Sequence, residues 1–361
     1  MAHAWRRRPS AAKCGGICGL ARWAERDFLV VGVGDSAASR PFTPNPALVM
    51  PRTSRIVTRR EFVRTSAAGL GGLMVIPAVA GAAGEAFAPK YGAADAVPLG
   101  GTDLRLSRLC LGTGMRGFNR ESNHTRMGRK RFTRLLRGAY ERGVRTFDSA
   151  DLYGTHPYIV PALEGIPRDN YQIISKIWYR EGGLPERERP DADVVVERFL
   201  RELKTDYIDL LLIHCVTDAD WPRKMARQME IIARLKEKGV VRAHGVSVHS
   251  LPALRACVTE PWVESVHTRI NPYGMSMDGA PEEVVPVIRA IHEAGKGVVG
   301  MKVVGAGKLR HDAERRAASV RFSLGLGCVD VLNVGCESLE ELDDMAGMIQ
   351  RVPRPVGGRL S

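Results

Sequence analysis

Seven cysteines are spread over 361 residues (Cys14, Cys18, Cys110, Cys215, Cys257, Cys328 and Cys336), and no two of them form a C-x-x-C pair. The odd number and the spacing exclude a zinc site, a ferredoxin run and a disulfide framework. Cys110, Cys215, Cys328 and Cys336 stand in or beside strand-like apolar runs and read as small buried residues, so no metal is expected. Long apolar runs are also missing. The longest uncharged apolar stretch, residues 67–83, is short and rich in Gly and Ala, which is weak for a membrane span. A glycine-rich phosphate turn is absent too. The candidate at Gly112-Thr113-Gly114-Met115-Arg116-Gly117 lacks the spacing of a dinucleotide fingerprint and is followed by a loop.

What is present is ordinary globular composition, with 44% apolar and 26% charged residues, which rules out a disordered chain, a collagen and a coiled coil. The net charge of +13 is unevenly placed. Residues 1–89 hold 12 Lys and Arg against 5 Asp and Glu, and the rest hold 41 against 35. A basic leader accounts for this better than a nucleic-acid surface does. Residues 58–64 read Thr58-Arg59-Arg60-Glu61-Phe62-Val63-Arg64, followed by the uncharged stretch, in the order of a secretory signal. The paired arginines resemble a bacterial twin-arginine signal, whose address is read by a receptor. Cleavage is expected near Ala78-Val79-Ala80 or Ala86-Phe87-Ala88, the latter disfavoured by Pro89. Met50 lies just before Thr58, so residues 1–49 read as a mis-assigned gene start or a disordered arm, and 50–88 as the signal peptide.

From Leu109 onward short apolar runs alternate with amphipathic stretches. The runs are 109–114, 145–150, 171–177, 208–214, 241–249, 263–270, 297–304 and 329–336. In the stretches between them apolar residues recur three and four apart, and Gly143, Gly239 and Gly295 fit helix ends. Ser338 and Glu341 open the last helix as a capping box. Eight strands alternating with eight helical segments predict an α/β fold, a (β/α)8 TIM barrel, over 97–351, with 352–361 as a tail. Residues 97–108 read as a hairpin that plugs the barrel floor.

Chemistry in such a barrel gathers at the carboxyl ends of the strands. There stand Asp148 after the second run, Lys176 in the third, His214 closing the fourth, and Tyr153 five residues beyond Asp148. Each alone is readily structural, but four polar residues at consecutive active-face positions point to catalysis.

These residues resemble the aldo/keto reductase superfamily, from Val97 to about Arg351. The segment from Gly143 to Gly154 looks like the family signature around its catalytic Asp and Tyr. Ser175-Lys176-Ile177-Trp178 looks like the catalytic Lys segment with its substrate-lining aromatic, and Asp206 to His214 like the segment ending in the catalytic His. The resemblance implies hydride transfer from a reduced nicotinamide to a small aldehyde or ketone. Tyr153 is then the general acid, lowered by Lys176, which Asp148 holds; His214 polarises the carbonyl, and Trp178 lines the substrate. It implies cofactor contacts at Gly114, Met115, Asp148, Ser247, His267, Met301, Lys302, Cys336 and Ser338. Val248, His267 and Met301 depart from the family's Asn, Gln and stacking aromatic. The resemblance favours NADP(H) over NAD(H), although residues 335–344 contain no base and several carboxylates; Lys302 and Lys308 are the nearby alternatives.

With its leader, the chain is similar to exported bacterial members. The expected partners are the carbonyl substrate and the twin-arginine export machinery, with a periplasmic location and no stable membrane anchor after cleavage. The competing class is a sensor or interaction protein that holds cofactor on the same barrel with little turnover. Complete retention of Asp148, Tyr153, Lys176 and His214 argues against it. Arg126, Arg129, Lys130, Arg131, Arg134 and Arg137 form a charged helix face without interleaved aromatics, which argues against nucleic acid. The loops 119–126, 180–190 and 217–222 carry no diagnostic substrate cluster, and the short tail after the last helix suggests an open site.

Overall fold

The computed structural model describes residues 89–354. The arm 1–49, the twin-arginine segment 50–88 and residues 355–361 lie outside the described residues.

Two short antiparallel strands, β1 (Ala96–Pro98) and β2 (Arg105–Ser107), form the hairpin. The eight strands of the barrel follow: β3 (Leu109–Gly112), β4 (Thr146–Asp148), β5 (Gln172–Ile177), β6 (Ile208–Val216), β7 (Val241–Val248), β8 (Ser265–Arg269), β9 (Gly297–Met301) and β10 (Val331–Val334). All neighbours are parallel, and β10 pairs with β3 to close the cylinder. Each of the eight expected runs coincides with one barrel strand, β6 running two residues past the expected end at His214.

Helices pack on the outside because their apolar residues share one face. In α4 (Ala192–Leu203), Ala192, Val195, Val196, Phe199 and Leu203 are buried at helical spacing. The others are α1 (Asn123–Arg126), α2 (Arg129–Glu141), α3 (His156–Ala162), α5 (Trp221–Glu237), α6 (Leu251–Thr259), α7 (Pro281–Glu293), α8 (Ala313–Gly325) and α9 (Leu339–Gln350). Gly143, Gly239 and Gly295 follow α2, α5 and α7 at φ values of 92°, 74° and 79°, the left-handed region that glycine tolerates. Ser338 does cap α9, accepting from the Glu341 amide at 3.3 Å. The reciprocal half of the capping box is displaced: the Glu341 carboxylate accepts from the Glu337 amide instead.

The interior fills by the two-residue period of a strand. Cys110, Ile174, Leu210, Leu212, Val299 and Val331 meet Leu99, Leu104 and Leu106 of the hairpin in one apolar cluster. The hairpin tip is fastened by the Gly101 amide donating to the Gly295 carbonyl at 2.8 Å. The floor is therefore closed by side chains, as the sequence suggested.

Candidate active site

Two residues beyond the floor layer the same strands turn polar. Ile174 is followed inward by Lys176, Leu212 by His214, Gly245 by Ser247, and Val331 by Asn333. The period that packs the floor also aims these groups into the mouth.

Lys176 is almost wholly buried; its ammonium ion-pairs with Asp148 and donates to the Ser149 carbonyl at 2.8 Å. The second oxygen of Asp148 accepts from the Asn333 side-chain amide at 2.8 Å. Tyr153 stands in a 3-10 turn (Asp151–Tyr153) after β4, with its hydroxyl 3.3 Å from His214 Nε2. The Lys176 ammonium lies 5.1 Å from the Tyr153 ring centroid. Tyr153 was expected to be lowered by Lys176. Burial instead dominates, with Asp148 and Cys215 adding to it, and pushes the phenol well above its ordinary value. The resting hydroxyl is protonated. Burial, then the charge of Lys176, holds His214 well below the usual histidine range, so its ring is neutral.

His214 and Cys215 are consecutive, yet both line the same cleft. A bulge in β6 against β7 between Ile213 and Val216 breaks the alternation, and Cys215 takes a left-handed φ of 61°. The Cys215 amide donates to the Ser247 hydroxyl at 2.9 Å, and its thiol lies 3.1 Å from His249 Nδ1. Trp178 stands edge-on to His214, ring centroids 5.3 Å apart, with its indole N–H donating to the Gly182 carbonyl.

These groups line a cleft of about 560 Å³, joined by Gly114, Met115, Met301 and Lys302. Met115, Val304, Gly307, Val334 and Gly335 also border a second depression of about 70 Å³ that continues outward between the β9 and β10 loops and includes Cys336. Two expected cofactor contacts lie off these walls. His267 is fully buried with its Nε2 3.7 Å from Asp148 Oδ1, and neither ring nitrogen has a hydrogen-bond partner. Ser338 is engaged as the cap of α9.

The base-free stretch 335–344 is not left acidic. Arg310 binds Glu337 at 2.7 Å and Glu341 at 2.6 Å, and Arg316 binds Asp344 at 2.8 Å. The sequence reading missed both arginines. It also missed Asn333, a lone amide in an apolar strand, and the Cys215–His249 contact. For Asn333 the only sequence signal is a polar residue where the strand pattern calls for an apolar one; Arg310 and Arg316 lie in the loop and helix after β9.

The two connected depressions fit an extended dinucleotide. Lys302 is a partly buried cation on the wall of the cleft without a carboxylate partner among the described residues. The Gly305-Ala306-Gly307 turn beside it has positive φ throughout, and the Gly305 and Gly307 amides donate to the Lys302 and Val304 carbonyls at 2.8 and 3.0 Å.

A model of the aldo/keto reductase family matches residues 108–345. The chain belongs to the aldo/keto reductase family. Among curated relatives, a methylglyoxal reductase (DkgB) of Salmonella typhimurium is 27% identical over 143 residues, covering 38% of this chain and 51% of that protein. The aldo-keto reductase AFTS1 of Alternaria alternata is 26% identical over 255 residues, covering 62% and 68%. The chain thus spans about half the length of the first of these relatives. A putative aldo-keto reductase from Pseudomonas aeruginosa is 26% identical with a TM-score of 0.56, over 70% of this chain and 93% of that one. A Klebsiella pneumoniae aldo/keto reductase solved with NADP and acetate is 19% identical, TM-score 0.54, over 73% and 91%, a likeness of fold.

Proposed function

We propose that this aldo/keto reductase reduces a small aldehyde or ketone to the alcohol with a nicotinamide nucleotide. One observation carries this reading: the Tyr153 hydroxyl and His214 Nε2 lie 3.3 Å apart and converge on one point of the cleft. A carbonyl oxygen at that point meets a protonated phenol and a neutral imidazole, so it can be polarised by one and protonated by the other. The buried Lys176 ammonium offsets the negative charge that grows on the phenol as its proton leaves. Asp148 and Asn333 hold that ammonium in place. Reduced nicotinamide, when bound, supplies the hydride. Gly114, Met115, Ser247, Met301 and Lys302 would hold it along the cleft, with Cys336 at the outer depression.

Discrimination between NADPH and NADH is expected to be weak. Arg310 and Arg316 at the outer depression are already held by carboxylates, which leaves Lys302, on the cleft wall, as the base without a carboxylate partner among the described residues. The preference should stay below about a hundredfold, roughly 2.7 kcal/mol. Fluorescence titration with each nucleotide measures it; a ratio well above a hundred would sink this reading. The reductase assignment is tested by assaying the wild type against a panel of carbonyls with each reduced nucleotide. No turnover of any of them would leave the sensor alternative.

The leader supports export by the twin-arginine machinery to the periplasm. Changing Arg59 and Arg60 to Lys and fractionating cells should leave the precursor in the cytoplasm. A double variant that still crosses the membrane would refute the route.

A further inference from the structure

Two cavities flank the loop that follows β5. On the outer side Arg120 binds Asp151 at 3.2 Å and Glu186 at 2.6 Å, while Arg198 binds Asp151 and Glu202 at 2.8 Å each. Both of these arginines are matched, while Arg189, which also lines this side, donates only to backbone carbonyls. On the inner side, the exposed Arg180 lines the cleft next to Glu181, its guanidinium over Trp178 at 5.8 Å from the ring centroid, and no carboxylate pairs with it among the described residues.

The position of Arg180 separates it from the nucleotide. The extended depression is built by the segments after β9, β10 and β3. Arg180 follows β5, which lies opposite β9 in the closed strand order, so it stands on the rim shared with β6 and β7. On that rim sit Cys215 and His249. Arg180, Arg269, Lys302 and Lys176 all bear electrostatically on both groups; burial and these cations hold the His249 imidazole down to about 3. The patch is thus a neutral thiol and imidazole in a positive field. It lies one ring from the catalytic histidine, the His214 and His249 centroids being 6.5 Å apart.

We infer that the substrate is a short aldehyde or ketone acid, its carbonyl at Tyr153 and His214 and its carboxylate on the β5–β7 rim, paired with Arg180. This rests on the reductase reading for its carbonyl end and on the unmatched guanidinium for its anionic end. A carboxylate there gains a bidentate partner that a neutral aldehyde cannot use. The guanidinium lies over the Trp178 ring at 5.8 Å, within reach of a cation–π contact that leaves its fork of N–H donors free.

The test compares 4-oxobutanoate with butanal in the wild type, R180Q and R180K, together with calorimetric binding of 4-oxobutanoate to the protein alone. The wild type should prefer the acid in kcat/KM by roughly tenfold or more, the size of one charge-assisted hydrogen bond. R180Q should lower that preference about tenfold through KM for the acid, R180K should restore part of it, and calorimetric binding should weaken in parallel. Equal kcat/KM for the two aldehydes in the wild type, or a preference unchanged in R180Q, overturns the anion subsite while the reductase stands. Acid binding that depends on Arg180 without turnover of either aldehyde supports the subsite and overturns the reductase.

Discussion

The two ends of the barrel interior are made by the same strands at the same pitch, and they do opposite work. At the floor, Ile174, Leu212 and Val331 pack against Leu99 and Leu104 of the hairpin with no exposed surface beyond a few per cent. Two residues along, Lys176, His214 and Asn333 replace them, and the interior becomes a buried ion pair with a protonated phenol and a neutral imidazole above it. The floor removes water and fixes the strands, which lets the mouth hold polar groups at one geometry without having to supply stability. The apolar floor and the proposed catalytic groups are thus separated along the barrel axis by a single strand repeat.

The separation is broken most sharply at Tyr153. Tyr153→Phe removes only a hydroxyl at the mouth, so carbonyl reduction should fall about 10²–10⁴-fold while the denaturation midpoint stays close to wild type. Activity within about threefold of wild type would take the acid role away from this residue. Lys176→Met should damage both properties. It leaves the Asp148 carboxylate buried without its cation, at a cost of roughly 3–5 kcal/mol in urea unfolding, and it removes the charge beside the phenol. At the other end, Leu104→Ala opens a cavity in the floor. It should cost about 2–5 kcal/mol and leave kcat per folded molecule unchanged; a kcat that falls with it would show that the two ends are coupled.

His267 lies between the layers and sharpens the comparison through pH. Burial lowers its folded pKa to about 3, against an unfolded value near 6.5. The unfolded chain therefore takes up a proton that the folded one refuses, so the contribution is fully present above about pH 6.5 and is lost as pH falls toward 3. His267→Gln removes this dependence. Relative to the variant, the wild type should lose about 2 kcal/mol between pH 7.5 and pH 5, read from denaturation midpoints at each pH. Parallel pH profiles would mean that the ring titrates freely in the fold.

Local signals in the chain decided a good deal by themselves. The apolar runs and the glycines at helix ends set the alternation of strand and helix, because both follow from periodicity and backbone freedom over a few residues. The same period placed Asp148, Lys176 and His214 at strand ends and brought Tyr153 in from the turn after Asp148. The tertiary structure alone decided who meets whom across the barrel. Asn333 reaches Asp148 over 185 residues of chain, which no local pattern records. The acidic stretch at 335–344 looked unopposed until Arg310 and Arg316, in and beyond the β9 loop, closed on it. A bulge turned Cys215 toward His249, and closure of the sheet set His267, on β8, 3.7 Å from Asp148 and off the cleft wall. Spacing along a chain fixes which face a side chain takes; the partner on that face is set by closure of the sheet and by desolvation, which act between residues distant in sequence.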